Sequence, residues 1–282
     1  MKKFIANTVY RINKRLYYHL RYFAVRKKFA HLKSPQDLSE YLLSEMLKPD
    51  FQQYADYTDK VKVRDYVKSV GLETILPTIY GVWEKADDID FSQLPDSFVL
   101  KTNHGCGHHI FCTDKNKLDI PTVKKKLNKL LAKKYSPREP HYHDISPRVY
   151  AEEFMHDASN APLPIDYKIF CAKGQPLGIL VCSERNPLSG HCKLNTYDVK
   201  WNTTDWLIKE KSAVEIPRPK HLTEMLEIAK KLSAKFDFVR VDLYEINDKI
   251  VFGGLTFSPH AGFMTYLSDE SLKYFVAPIL KN

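Results

Sequence analysis

The feature that most constrains the fold is residues 238–262, where polar side chains interrupt two otherwise apolar stretches. Arg240 and Asp242 share one face of the first stretch if it is a strand, because side chains alternate along a strand. Residues 246–249 are typical of a turn, and residues 250–257 predict a returning strand. The segment therefore predicts a β-hairpin that carries a charged pair, either as a surface ion pair or in a metal-dependent catalytic site.

Composition fits a folded protein without disulfide bonds. The chain has 282 residues, of which 44% are hydrophobic, which is enough to build a substantial core. The five cysteines form no CxxC pair, so neither a disulfide framework nor a structural zinc site is indicated, and we expect a cytoplasmic location. No apolar run approaches the ~20 residues that cross a bilayer, and early cations argue against a secretory signal.

Positive charge is concentrated at the N-terminus. The net charge is +9, and ten lysines and arginines precede Asp37, the first acidic residue. Aromatic residues alternate with these cations, so residues 1–33 resemble a basic amphipathic helix. Such a helix could rest on an anionic membrane or glycan carrier, bind nucleic acid, or pack on the body with a solvated basic face. The absence of a recognised nucleic-acid-binding fold makes the second use the least favoured.

The order of elements favours an α+β fold. The predicted strands and helices do not alternate as regular βαβ units, and no internal repeat is visible. We predict residues 184–219 to be irregular. Helices are predicted at 38–47, 58–71, 121–135 and 222–236, and strands at 75–83, on both sides of the 103–107 turn, and at 149–155, 167–170 and 177–183.

A lysine and a glycine-rich loop form a candidate phosphate site. Lys101 ends an apolar strand just before Gly105 and Gly107, which allow backbone amides to approach a phosphate. The alternative is a plain hairpin with a solvated lysine. His104, His108 and His109 surround the loop, but adjacent strand residues face opposite ways, which disfavours a three-histidine metal site.

Several motifs occur together in a specific order. They are Lys101-Thr-Asn-His-Gly-Cys-Gly107, Asp166-Tyr-Lys168, Tyr197-Asp-Val-Lys-Trp201, Arg240-Val-Asp-Leu-Tyr244 and Phe252-Gly-Gly-Leu-Thr-Phe257. Together they resemble the TupA-like ATP-grasp family of surface-polysaccharide and teichuronopeptide gene clusters, over roughly residues 57–262. The resemblance implies an α+β ATP-grasp fold that holds nucleotide between two α+β subdomains, with a basic helical N-terminal extension.

The same resemblance implies a division of the chain and a set of nucleotide contacts. The expected parts are residues 1–50, 51–97, 98–148 (small subdomain) and 149–282 (C-terminal subdomain). ATP and Mg²⁺ are the implied cofactors. The implied contacts are Lys60, Lys101, His104, Gly105 and Gly107 for the phosphates; Glu152, Glu153 and Phe154 for the adenine hinge; Asp166 for the ribose; Lys168 for the phosphates; and, more weakly, Lys200.

Catalysis would fall to the hairpin and Lys168. The resemblance implies that Arg240 neutralises an acyl phosphate and that Asp242 holds magnesium. Gly254 stands where the family carries a metal-bridging glutamate, although Thr256 is retained. Three explanations stay open: a single-metal enzyme that recruits Glu245 or His260, a binding-only pseudoenzyme, and a damaged copy.

The expected activity is that of an ATP-dependent carboxylate–amine ligase acting through an acyl phosphate. Its expected substrates are an amine and a uronic-acid carboxylate of a bacterial surface glycan or its precursor. Residues 1–33 would hold the protein near a lipid-linked anionic substrate at the cytoplasmic face of the inner membrane. The alternative is a catalytically impaired protein that binds nucleotide or glycan as an assembly partner.

Overall fold

The structure, a computed structural model, describes residues 2–105, 107, 109–133, 135–136, 138–155, 163–186 and 191–281. These residues form two antiparallel β-sheets, one of four strands and one of five, with helices packed against both. No helix in this part of the chain is long and apolar enough to cross a membrane.

The basic N-terminus forms two helices rather than one. Helix α1 (Lys2–Ile12) and helix α2 (Lys14–Arg26) are separated by Asn13, which has an extended backbone and accepts a hydrogen bond from the Leu16 N–H. Four tyrosines of this hairpin are buried against the body: Tyr10, Tyr17, Tyr18 and Tyr22. Packing on the body, one of the three predicted uses, is therefore confirmed for this aromatic face.

Three short helices follow. Helix α3 (Leu38–Glu45) begins after Asp37, whose carboxylate accepts from the Glu40 N–H. The predicted helix at 58–71 is instead divided into α4 (Ala55–Thr58) and α5 (Val63–Ser69). The Asp59 carboxylate accepts hydrogen bonds from the N–H groups of Val61 and Lys62, at 2.8 and 3.2 Å. These bonds stabilise a turn before α5.

The smaller sheet has the order β1-β4-β2-β3. Its strands are β1 (Ile79–Trp83), β2 (Phe98–Thr102), β3 (His109–Cys112) and β4 (Val149–Glu153), and α6 (Ile120–Leu131) packs against it. Strand β4 pairs with both β1 and β2. The predicted division before residue 149 assigns this strand to the C-terminal subdomain. Its hydrogen bonds instead place it inside the smaller sheet, and the chain passes from the smaller to the larger sheet after Glu153.

The larger sheet has the order β7-β6-β5-β8-β9. Its strands are β5 (Asp166–Ala172), β6 (Gln175–Ser183), β7 (Lys193–Tyr197), β8 (Phe238–Ile246) and β9 (Lys249–Thr256), so the predicted hairpin is present. Strand β7 lies in the segment predicted to be irregular, because its pairing with β6 outweighs a weak local pattern. Helix α7 (Leu222–Ser233) was predicted, and helix α8 (Asp269–Leu280) was not.

The two faces of the larger sheet differ in polarity. Helix α7 packs on the apolar face, with Ile169 and Val241 among the buried residues. The other face is apolar at one end, where the Phe170 ring stacks on Phe275 of α8 and meets that of Phe238, and along β6, where Leu180 is buried in the same cluster. Its opposite end carries charged side chains, and this is where a candidate site forms.

Candidate functional site

Four residues predicted to act together do meet on the polar face of the larger sheet. Lys168 lies opposite Asp242 in the β5–β8 register. The Lys168 Nζ is 2.6 Å from Asp166 Oδ2 and 3.1 Å from Asp242 Oδ2. The Arg240 guanidinium donates to both oxygens of Asp242, each at 2.7 Å. The predicted charged pair is thus a bidentate ion pair with a lysine bridging to a second carboxylate.

A fifth member of this group was missed by the sequence analysis. Arg185 follows β6 and places its guanidinium 2.8 Å from Asp166 Oδ2. No local motif marks this arginine, and only the pairing of β6 with β5 brings it to the site. We call Asp166, Lys168, Arg185, Arg240 and Asp242 the charge cluster; it holds one more cation than anions, as a site for a polyanion would.

Mutual attraction keeps Lys168, Arg240 and Asp242 ionised despite burial. Burial acts to lower the pKa of Lys168, but Asp166 and Asp242 outweigh it and raise that pKa. Burial acts to raise the pKa of Asp242, but Arg240 and Lys168 bring it below its usual value. Arg240 likewise has a raised pKa, because Asp242 outweighs its burial. The site therefore presents fixed charges near neutral pH.

Gly254 lies directly opposite Asp242 across β8 and β9. The register shifts immediately after this pair, so Gly253 forms a bulge. A Cβ at Gly254 would have no neighbour within 4 Å, and its φ is +158°. Thr256, opposite Arg240, accepts a hydrogen bond from the guanidinium at 3.1 Å. The position expected for a metal-bridging carboxylate thus faces Asp242 and is sterically open.

The two replacement ligands considered for this position differ in location. Glu245 lies on the other side of β8 from Asp242, since the two are three residues apart, and its carboxylate accepts from the backbone N–H of His221 at 2.8 Å. Its recruitment as a metal ligand is therefore wrong for this structure. The ring of His260 packs against Tyr266, and its pKa is lowered by burial and by nearby Arg240.

The second part of the site is the glycine loop of the smaller sheet. Lys101 on β2 forms an ion pair with Glu152 on β4, two of the predicted nucleotide contacts. The Lys60 ammonium donates to the carbonyl oxygen of Gly105. His104 is buried, its Nε2 lies 3.1 Å from the Lys133 carbonyl oxygen, and burial lowers its pKa. Lys60 thus contacts the loop that follows Lys101.

Buried Asn103 fixes the start of this loop. Its amide nitrogen donates to Asp59 Oδ2 at 2.8 Å, and its amide oxygen accepts from the Arg148 N–H at 2.7 Å. The Lys60 N–H donates to the Asn103 carbonyl oxygen at 3.2 Å. Asn103 therefore links the loop to the turn that carries Lys60, a role that the sequence analysis did not assign.

Both described glycines of the loop have backbone angles that favour glycine. Gly105 and Gly107 have φ values of +85° and +71°. A Cβ at Gly105 would also lie 2.3 Å from a ring carbon of Tyr135. Glycine is therefore favoured at both positions by the backbone angle, and at Gly105 also by the close approach of the Tyr135 ring. Cys106 and His108 lie outside the described residues.

The remaining predicted contacts lie away from the charge cluster. Lys200 is exposed on the turn after β7. Glu153 accepts from the Thr78 N–H at 3.2 Å, and the Phe154 ring meets that of Phe111. In the described part of the chain, no group of three or more histidine, cysteine, aspartate or glutamate side chains is arranged to hold a metal ion.

The Cys192 thiol lies near the charge cluster and has a lowered pKa. Hydrogen bonding by the Cys182 thiol lowers the pKa of Cys192 to about 7 against the effect of burial, with help from Arg185. We expect the rate of Cys192 alkylation by iodoacetamide to rise around pH 7, because the thiolate is the nucleophile. Peptide mapping after timed labelling measures it. In Cys182→Ala the midpoint should move up toward the ordinary value of 9.0; an unchanged midpoint would contradict this account.

Comparison with known proteins agrees with this geometry. The family model described as "TupA-like ATPgrasp" matches residues 40–275, which is most of the chain. The chain belongs to the TupA-like ATP-grasp family. The predicted family and its α+β ATP-grasp fold are therefore confirmed, and the match includes the charge cluster, the glycine loop and Gly254.

Solved structures of ligases resemble the chain more distantly. A D-alanine–D-alanine ligase from Bacillus anthracis with ATP shares 14% identity, with a TM-score of 0.40, over 78% of this chain and 55% of that one. A carboxyaminoimidazole ribonucleotide synthase from Aspergillus clavatus with ATP shares 14% identity, with a TM-score of 0.45, over 77% and 50%. A phosphoribosylamine–glycine ligase from Thermotoga maritima shares 13% identity, with a TM-score of 0.44, over 72% and 48%.

The chain therefore spans about half the length of these solved structures. No curated protein matches it.

Proposed function

We propose that this TupA-like ATP-grasp protein is an ATP-dependent carboxylate–amine ligase. The observation that carries the proposal is the charge cluster, in which Lys168 and Arg240 are held on one sheet face by buried carboxylates. The glycine loop with Lys101 and Lys60 supplies a second cationic group on the smaller sheet. Two such groups suit a triphosphate that must be gripped along its length.

In the proposed reaction, an oxygen of the substrate carboxylate attacks the γ-phosphorus of ATP, and the bond to the β-phosphate oxygen breaks to release ADP. The amine then attacks the acyl phosphate carbon, inorganic phosphate leaves and the amine loses a proton. Arg240 is held by Asp242 and Thr256, so its guanidinium is oriented before substrate binds. A preoriented cation of this kind can stabilise the charge that develops on phosphate and carbonyl oxygens.

ATP and Mg²⁺ are the proposed cofactors. Both oxygens of Asp242 accept hydrogen bonds from cations, and the residue opposite is a glycine. These residues fit one magnesium ion held by one carboxylate and phosphate oxygens better than a pair of ions bridged by protein carboxylates. When bound, magnesium would neutralise part of the phosphate charge. Lys168, Arg185 and Arg240 would neutralise the remainder of that charge.

For the substrate, we propose a uronic-acid carboxylate of a bacterial surface polysaccharide or its precursor, joined to an amine. The support is membership in the TupA-like family together with the positive excess of the charge cluster. The proposed location is the cytoplasm, with contact to the inner membrane through residues 1–33. The predicted roles of Glu152, Glu153, Phe154 and Lys200 at the nucleotide stay proposals.

Gly254 favours a second candidate function. A protein without the bridging carboxylate could bind nucleotide or glycan as an assembly partner and turn ATP over poorly. In that case ATP would bind with little dependence on magnesium. The two candidates thus differ in a measurable property of the purified protein.

Calorimetric titration of ATP, with and without magnesium, separates the candidates. If the ligase proposal holds, magnesium should strengthen binding, and Lys101→Ala should weaken it at least ~tenfold, since a charged contact contributes about 1.5–3 kcal/mol. The matched control is Lys117→Ala, which removes an exposed lysine near the same sheet. Binding indifferent to magnesium would favour the pseudoenzyme, and equal affinity in wild type and Lys101→Ala would contradict the phosphate role of the loop.

A further inference from the structure

The N-terminal hairpin has an apolar face that the body does not cover. Leu16, Leu20 and Phe23 are exposed on α2, where a helical repeat places them within about 60° of one another. They lie opposite the buried residues Tyr18 and Tyr22 of the same helix, and buried Tyr17 lies between the two faces. Exposed Ile12 precedes α2 in the chain, and exposed Phe29 follows it, with its ring 5.1 Å from that of Phe23. These five residues, each 44–81% exposed, are called the outer stripe.

Exposed cations flank the residues of the outer stripe in the sequence. Arg11, Arg15, Lys27 and Lys33 are exposed and take part in none of the ion pairs among the described residues. No acidic residue precedes Asp37, and Asp37 itself is buried. The surface therefore combines exposed apolar groups with uncompensated positive charge. Exposed apolar side chains with cations in the same segment match the interface of an anionic bilayer, where acyl chains meet negative headgroups.

We propose that the outer stripe and its flanking cations bind the surface of an anionic lipid bilayer. The proposed function includes a contact with the inner membrane, and this inference identifies the residues that make it. It rests on the proposed function only for the cellular location. It differs from the sequence-based expectation in the residues involved. Four of the aromatic residues that alternate with cations face the body, and the membrane-binding face is made instead by Ile12, Leu16, Leu20, Phe23 and Phe29.

The hairpin is joined to the loop that follows Thr256. Arg26 donates to the carbonyl oxygens of Met264 and Leu267 at 2.8 and 2.9 Å. The Arg21 guanidinium lies 5.7 Å from the centre of the Phe263 ring. A bilayer bound to the outer stripe would thus keep this loop, which lies next to the charge cluster, at a fixed distance from the membrane surface. This arrangement suits a substrate whose reacting group is tethered to lipid.

The test is co-sedimentation of the full chain with phosphatidylcholine vesicles, with and without phosphatidylglycerol. Wild type should bind the phosphatidylglycerol vesicles, and binding should fall with salt. The triple variant Leu16→Ser, Leu20→Ser, Phe23→Ser should lose at least ~tenfold in vesicle partition, because three apolar side chains no longer enter the interface. The matched control, Ile208→Ser, Val214→Ser, Tyr274→Ser, removes exposed apolar groups elsewhere and should bind like wild type.

Three results would overturn the inference. The first is that wild type does not bind phosphatidylglycerol vesicles, and the second is that the triple variant binds them as well as wild type does. The third is that light scattering finds wild type to be a dimer and the triple variant a monomer. The last result would make the outer stripe a contact between copies. Circular dichroism checks that the triple variant is folded. Calorimetric ATP binding, which does not need the stripe, separates failure of this inference from failure of the ligase proposal.

Discussion

The Asp242→Ala variant should lose about 3 kcal/mol or more of its free energy of unfolding, together with magnesium-dependent ATP binding. The carboxylate holds Arg240 through two hydrogen bonds and Lys168 through a third. Removing it leaves two buried cations with fewer partners, and breaking a buried pair costs about 3–5 kcal/mol. Urea denaturation measures the first effect, and calorimetric titration of ATP measures the second.

An exposed ion pair provides the control. Asp56→Ala removes the partner of Lys62 at the surface, where such pairs contribute about 0–1 kcal/mol. The pH dependence gives a further check. Because the pKa of Asp242 is lowered on folding, its stabilisation is present above the unfolded value of about 3.9 and is lost as pH falls below it. The gap between wild type and Asp242→Ala should therefore narrow below about pH 4; a constant gap would contradict an ionised Asp242.

The Gly254→Glu variant should raise magnesium-dependent ATP hydrolysis at least ~tenfold, the effect of regaining one carboxylate ligand. The new side chain would face Asp242 and have room for its Cβ. Two facing carboxylates repel one another, so magnesium should raise the melting temperature of this variant more than that of wild type. Phosphate release and thermal denaturation, each with and without magnesium, measure the two effects.

Two control variants, Gly254→Gln and Gly253→Glu, show whether the gain in hydrolysis depends on the charge and on the position of the new side chain. Gly254→Gln has a similar shape without the charge, and we expect no gain in hydrolysis. Gly254→Glu and Gly254→Gln should both be destabilised by about 1–3 kcal/mol, because L-residues rarely adopt the backbone angle at Gly254. Gly253→Glu should be more damaging, since its Cβ would lie 2.9 Å from the Asp242 carbonyl oxygen. Equal hydrolysis by wild type, Gly254→Glu and Gly254→Gln would argue against a missing metal ligand.

Local patterns in the sequence predicted much of the larger sheet. The alternation of Arg240, Asp242 and their apolar neighbours marked β8, and the motif order marked the family. Such signals are readable because side-chain direction follows the strand period. Weak local patterns failed at β7 and α8, whose stability comes from pairing with β6 and packing on Phe170.

The sequence by itself determined the family, the two charged strands and the glycine loop, because each depends on residues close together in the chain. Only the tertiary structure decided which groups share the site. Arg185 joins Asp166 through sheet pairing, while Glu245 is turned to the other face of β8. It also decided that the tyrosines of α2 face inward and Leu16, Leu20 and Phe23 face outward. Contacts between distant residues depend on register and packing, which no short stretch of sequence specifies.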